Sequence, residues 1–332
     1  MISCTEYIPA YSELFKFMDR RSGRQAVYDY WARFFDPKEF PLGRQVARSG
    51  LKGCFDYWEV IFSEEACDST MIYNEAEGWL TMCMHACPSK GRFQKLGYLE
   101  PFDEYCRHCD GYDAIVAAYG LKRYTDYRGT DRAACRMLIV DPARFRGDAN
   151  DMMEKMYLCE NNGCQYDRDP TACPLHSPGV LVQHCKAADL QYLHPQFHAA
   201  LEKNLFDLLE MYGEEGVHEF LAQYVAAFHR PLITELKQGK IPAIAQYLQD
   251  IYARENASDA LTLFTSENEV VAEVSYSPAI KYMQSIGQEV HEIFKSTTET
   301  VYKELAKLGG VGFELFSYDI ESGRANFRFY LK

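Results

Sequence analysis

The chain has no surplus of basic charge and no long apolar run, its first residues do not read as a secretory leader, and each of these bears on a class of function. Its 332 residues carry 35 lysines and arginines against 48 aspartates and glutamates, a formal charge of −13. Proteins that bind phosphate backbones usually offer the polyanion a basic surface, so nucleic acid is set aside as a partner. No apolar run approaches the roughly 20 residues that cross a bilayer, and Met1-Ile2-Ser3-Cys4-Thr5-Glu6 lacks the basic-then-apolar grammar of a signal peptide. The expectation is a cytoplasmic protein with no membrane partner. The chain does have 12 cysteines. In a reducing compartment these are free thiols, available as small buried hydrophobes, metal ligands or nucleophiles rather than as disulfide staples. Cys4, Cys54 and Cys67 read as packing residues, Cys54 lying in an aromatic helix beside Phe55, Tyr57 and Trp58.

The stretch Thr81 to Gly91 organises the rest. It reads as a strand running into a turn, and strand alternation sends Cys83, His85 and Cys87 to one face, opposite Met82, Met84 and Ala86. At a constant offset of 190 positions the chain repeats this strand as Val270 to Pro278, with Glu273, Ser275 and Ser277 at the three reactive positions. The same offset pairs Gly23 with Gly213, Val27 with Val217, Tyr30 with Phe220, and the helix from Leu51 to Ser63 with that around Ile241 to Tyr252. Each copy then reads as a hairpin, a helix ending in glycine (Gly120, Gly309-Gly310) and a second hairpin. The fold class predicted is α+β, a tandem duplication of a helices-hairpin-helix-hairpin unit. Two pseudo-twofold-related halves are expected, each with an antiparallel sheet covered by helices. The predicted domains are 1–140, bearing the cysteines and histidines; 141–190, a cysteine-containing linker; and 191–332, degenerate at the reactive positions.

The linker contains Cys159, Cys164, Cys173, His176, His184 and Cys185 in a turn-rich context. Thiolate and imidazole are zinc ligands, and Cys159, Cys164, Cys173 and His176 are the set that would hold the ion, although no compact C-x-x-C pair is present. His194 and His198 flank Pro195 and read as first-turn surface residues.

A helix expected over about Phe102 to Tyr119 carries Cys106, His108, Cys109, Asp110 and Asp113, with Cys106, Cys109, Asp110 and Asp113 on one side. Their counterparts, Ser296, Thr298, Glu299, Thr300 and Lys303, lack the thiols and the imidazole. The Cys87-Pro88 after a strand, the cysteines ahead of Asp110 and the terminal Gly129-Thr130-Asp131-Arg132-Ala133-Ala134-Cys135 resemble the L-2-amino-thiazoline-4-carboxylate hydrolase-like proteins. The resemblance covers about residues 70 to 140. It implies hydrolysis of a carbon–nitrogen bond in a small cyclic amidine, a small-molecule substrate.

For that chemistry Cys87 is assigned as nucleophile, with His85 or His108 as acid and base, Asp110 orienting the imidazole or binding the amidinium, and Cys109 or Cys106 in reserve. Cys83, Cys106, Asp113 and Arg132 are expected to contact substrate. The rival reading joins Cys83, His85, Cys87, Cys106, His108 and Cys109 in a metal site, zinc being the cofactor such ligands favour, in a metal-assisted hydrolase or a non-catalytic metal or thiol sensor. The oligomeric state is left open.

Overall fold

The computed structural model describes residues 2–161, 164–166, 168–186 and 193–332. Contacts divide the chain into two compact units, one within Met18–Gln191 and one within Met1–Phe17 and Tyr192–Lys332. This division departs from the expected boundaries at both ends of the first half. The first 17 residues belong with the C-terminal segment, because Tyr7 stacks on Phe197 at 4.5 Å, the Cys4 N–H donates to Glu255 at 2.6 Å, and Gln223 donates to Glu13 at 2.8 Å.

The thiol-bearing unit begins within α1 (Tyr7–Ser22) and continues through α2 (Arg24–Phe34), α3 (Pro41–Ser49) and α4 (Leu51–Glu64). Gly23, at φ 83°, separates α1 from α2, a backbone state that residues with a Cβ adopt at a cost. Then come β1 (Asp68–Asn74), β2 (Trp79–Ala86) and α5 (Pro88–Leu96). The expected helix from Phe102 to Tyr119 is instead a 3₁₀ segment, Tyr105–Asp110, followed by a short α6 (Gly111–Ala117). β3 (Lys122–Asp126) and β4 (Cys135–Val140) form the second hairpin. The segment expected to be a linker supplies α7 (Ala149–Asn161) and β5 (Leu181–Lys186). β5 pairs antiparallel with β1, giving a five-stranded antiparallel sheet of order β3-β4-β2-β1-β5.

Register fixes the two faces of this sheet. Asp126, Arg136, Cys83, Thr70 and His184 lie in one cross-strand row, and Cys135, Met84, Ser69 and Cys185 in the next, so the two rows point to opposite faces. The second row faces α4 and α6. The first lies under α7, where Ile72, Trp79, Leu138 and Val140 pack on Met152, Met153, Met156 and Leu175. Helices therefore cover both faces, not one.

The C-terminal unit runs through α8 (Gln196–Phe228), kinked at Gly213 (φ 69°), α9 (Arg230–Lys237), α10 (Pro242–Arg254), β6 (Leu261–Thr265), β7 (Glu269–Val274), α11 (Pro278–Ser285), α12 (Ile293–Gly309), β8 (Gly312–Tyr318) and β9 (Ala325–Tyr330). Its antiparallel sheet has the order β6-β7-β9-β8. That is the order of β1, β2, β4 and β3 in the other unit. Tyr302, Phe313, Phe327 and Phe329 fill its core with ring contacts of 5.0 to 6.2 Å. Among the described residues no helix is long and apolar enough to cross a membrane.

Two histidines expected at the surface are buried. Pro195 starts the helix rather than exposing it, so His194 and His198 turn inward, and His198 Nε2 meets Glu255 at 3.0 Å. Burial works against the Glu255 charge, but hydrogen bonds from His198 and Cys4 outweigh it and hold the carboxyl below its ordinary value.

His229 is also buried, edge-on to the rings of Tyr224, Phe228 and Tyr247 at 4.9 to 5.6 Å. Burial lowers its pKa from 6.5 to about 3. The unfolded chain therefore binds a proton there that the folded chain refuses, and stability contributed by the neutral ring is lost as pH falls from about 6.5 to about 3, by about 5 kcal/mol in total. A His229→Phe variant is expected to lose less stability than the parent over that window. Denaturant midpoints measured from pH 7 to 3 check this, and parallel curves would show that His229 does not titrate with folding.

Candidate active site

β2 stops at Ala86, and Cys87 becomes the N-cap of α5 with φ −65° and ψ 124°. Strand alternation ends there. The Cys87 sulfur accepts the Lys90 N–H at 3.5 Å, and the Cys87 N–H donates to the Ala133 carbonyl at 2.7 Å, which ties the cap to the loop ahead of β4. On the neighbouring 3₁₀ segment, three residues per turn place Cys106 and Cys109 on the same edge. Cys87, Cys106, His108, Cys109 and Cys135 thus face one cavity, with about 60 Å³ open to the centres of water molecules, several times what one water needs.

Within it His108 has a defined tautomer. Its Nδ1 lies 2.5 Å from the Tyr105 carbonyl, which can only accept, so Nδ1 carries the proton and donates. Nε2 keeps its lone pair and lies 3.6 Å from the Cys109 sulfur. Burial lowers the His108 pKa to about 4, so the ring is neutral at pH 7 and competent as a base. Burial pushes the thiols the other way. Cys109 rises to about 11, restrained by the Arg123 guanidinium; Cys106 rises to about 11 and Cys87 to about 12 despite the Lys90 amide, and burial raises Cys135 as well. The resting site is a set of neutral thiols beside a neutral imidazole.

The far wall is polar at selected points. Arg123 is buried, paired with Asp113 at 2.5 Å and touching the Met137 sulfur at 3.2 Å. Thr125 Oγ1 is buried on the cavity wall with no hydrogen-bond partner among the described residues. It stands ready for a polar atom of a ligand.

Four of the expected residues, Cys87, Cys106, His108 and Cys109, come together here. Cys83 and His85 do not, because odd-numbered positions of β2 face α7 on the other side of the sheet. There His85 Nε2 and His184 Nδ1 approach Thr70 Oγ1 at 2.9 and 2.8 Å. Asp110 does not orient the imidazole; its carboxylate takes the Tyr127 hydroxyl and pairs with Arg107 at 2.9 Å. Asp113 is 55% exposed and acts on the cavity through Arg123. Arg132, on the short turn Thr130–Arg132, is exposed and lies off the cavity wall.

Of the linker thiols, Cys159, Cys164 and Cys173 lie on the α7 side, whereas Cys185 shares a row with Ser69 and Met84 on the opposite face. Cys159 and Cys173 are hydrogen-bonded; the bond and then burial raise the Cys159 pKa, while the same bond and the amides of Leu175 and His176 lower that of Cys173. His176 lies close enough to Cys173 to lower its pKa as well.

Sequence reasoning missed Cys135, Arg123 and Thr125 as wall residues. Their signal was parity. On β3 and β4 they share a face with Met137 and Ile139, and a charged Arg123 on a buried strand face marks a polar site.

The C-terminal unit has a smaller cavity at the matching positions, with about 10 Å³ open to water centres, where Ser277, Thr298, Gly323 and Ala325 stand for Cys87, His108, Ala133 and Cys135. No family model matches the chain, and neither a curated protein nor a solved structure matches it. Geometry alone defines its class, an α+β protein with a thiol–imidazole cavity on one unit.

Proposed function

We propose that the chain is a cysteine-dependent hydrolase of a carbon–nitrogen bond in a small cyclic amidine, of the L-2-amino-thiazoline-4-carboxylate hydrolase-like kind. The observation that carries this reading is the Tyr105 carbonyl–His108–Cys109 array, a nucleophile, a base and an orienting group in hydrogen-bonded order at a cavity. Cys109 replaces Cys87 as first choice, because Cys109 has the base beside it. The Cys109 sulfur bonds to the amidine carbon as His108 takes the thiol proton. The amidine carbon–nitrogen bond then breaks, and nitrogen leaves with that proton. Water, deprotonated by His108, adds to the thioimidate and releases the thiol.

The reading extends to the chain's history: the two units are copies of one ancestor, of which one kept the chemistry. It is supported by the shared strand order and by matched details at the 190-residue offset. Gln94 donates to the Asp131 carbonyl and Gln284 to the Glu321 carbonyl, both at 2.6 Å, and Ala66 and Asn256 both hold positive φ, 50° and 53°.

A second reading, a non-catalytic metal-binding or thiol-sensing protein, has its own support in the four thiols at one cavity, a set that suits zinc or another soft cation. Incubation with 2-amino-thiazoline-4-carboxylate and related cyclic amidines, followed by mass spectrometry, separates the two. Ring opening with a transient adduct on the peptide containing Cys109 is the expected result. No turnover, with metal protecting Cys87, Cys106, Cys109 and Cys135 from alkylation, selects the second reading.

A further inference from the structure

We propose that Cys83, Cys159, Cys164 and Cys173 form a zinc site, separate from the cavity, that holds the 141–186 segment on the sheet. The four thiols come from β2, α7, the chain just after α7 and the turn after Pro170–Ala172, and all are partly buried on the α7 side. Their mutual placement rests on three contacts. Cys159 and Cys173 share a hydrogen bond, Cys83 and Cys173 pack against one apolar cluster, and the Cys164 sulfur lies 3.8 Å from Thr70 Oγ1. Thr70 is the residue directly across from Cys83 in the β1–β2 register. Four sulfurs from four points of the chain match the closed tetrahedral set of a structural zinc.

One further observation favours an anionic, metal-bound state of these sulfurs. Arg136, fully buried and directly across from Cys83, supplies positive charge beside a centre that zinc with four thiolates would leave negative.

The segment also needs a tie. The apolar cluster beneath it is small, and three of its eight buried residues are methionines, which pack adaptably rather than specifying one arrangement. The C-terminal unit carries an exposed Glu273 at the position of Cys83.

The rival cluster is Cys4, His198 and Glu255, the one set of cysteine, histidine and acidic ligand atoms that already lie within 4.8 Å of one another among the described residues. Its carboxylate oxygens are occupied by the Cys4 N–H and by His198, so it works as a hydrogen-bonded lock. The four thiols stand further apart than that, and binding draws them to about 2.3 Å from one ion, releasing their protons.

The test uses the full chain purified without added metal. Elemental analysis is expected to find a zinc that survives Cys106→Ser/Cys109→Ser and is lost in Cys159→Ser/Cys173→Ser. On the parent protein, independent of whether that variant folds, N-ethylmaleimide footprinting should find Cys83, Cys159, Cys164 and Cys173 protected until a chelator is added. Chelation should also expose the 141–186 segment to protease. Absence of zinc from the parent, retention of it by a folded Cys159→Ser/Cys173→Ser protein, or a Cys159–Cys173 disulfide in its place overturns the proposal. Loss of turnover in the Cys109 variants with this zinc intact keeps the fate of the two sites distinct.

Discussion

His108→Asn is expected to lower turnover of a cyclic amidine by about 10²–10⁴-fold, the range that a positioned acid–base group supplies. Cys109→Ala should reduce it to the rate without enzyme. Both follow from one hydrogen-bond chain. The Tyr105 carbonyl fixes the proton on Nδ1, Nε2 faces the Cys109 sulfur at 3.6 Å, and burial keeps the ring neutral. The pH profile carries the sharper test. An exposed histidine base would lose activity below its ordinary pKa, but His108 stays unprotonated down to about 4 and Cys109 stays protonated up to about 11, so kcat/KM should be level between those limits. An acid limb near 6.5 would mean that His108 is solvated during the reaction and that the buried geometry is not the working one. Cys87→Ser separates the two candidate nucleophiles. Serine keeps the cap on α5, so a folded, active variant leaves Cys109 as nucleophile, whereas a folded, inactive one returns the role to Cys87. In the C-terminal unit Ser277→Ala should cost about 1 kcal/mol as a lost cap and leave turnover unchanged.

Most of the architecture was legible because period and offset are properties of the backbone. Gly23 and Gly213 share a positive φ, and the cap at Cys87 recurs at Ser277, each accepting the amide three residues on. The failures have local causes. Alternation placed Cys87 with Cys83 and His85, and it holds only while the chain is extended; the cap at Cys87 returns its sulfur to the helix side. A spacing of three residues suits an α-helix and a 3₁₀ helix alike, so Cys106 and Cys109 concealed which one carries them. The 141–186 segment had no second copy to compare with, and Leu181–Lys186 gains its strand character by pairing with β1, a tertiary contact that local pattern does not encode.

Gly111→Ala is expected to destabilise the protein by about 1–3 kcal/mol, as overpacking does, although alanine in a helix normally stabilises by about 1 kcal/mol over glycine. The sign is reversed by one ring. Gly111 has ordinary helical backbone angles, so no left-handed conformation requires it, but a Cβ there would overlap Cδ2, Cγ and Cε2 of Phe35. Phe35 in turn lies nearly parallel to His108, 6.5 Å between ring centres, and edge-on to Tyr112 at 4.9 Å. Displacing it would disturb the base. At the matching positions the C-terminal unit has Val301 for Gly111 and Val225 for Phe35, both fully buried, a smaller side chain making room for a larger one. Gly111→Ala/Phe35→Val should therefore recover stability relative to Gly111→Ala while turnover stays low, because the ring beside His108 is gone. Thermal unfolding and kcat measured on the same preparations decide it. A Gly111→Ala protein that melts higher than the parent and keeps full turnover would show that Phe35 has room to move and does not hold the imidazole in place.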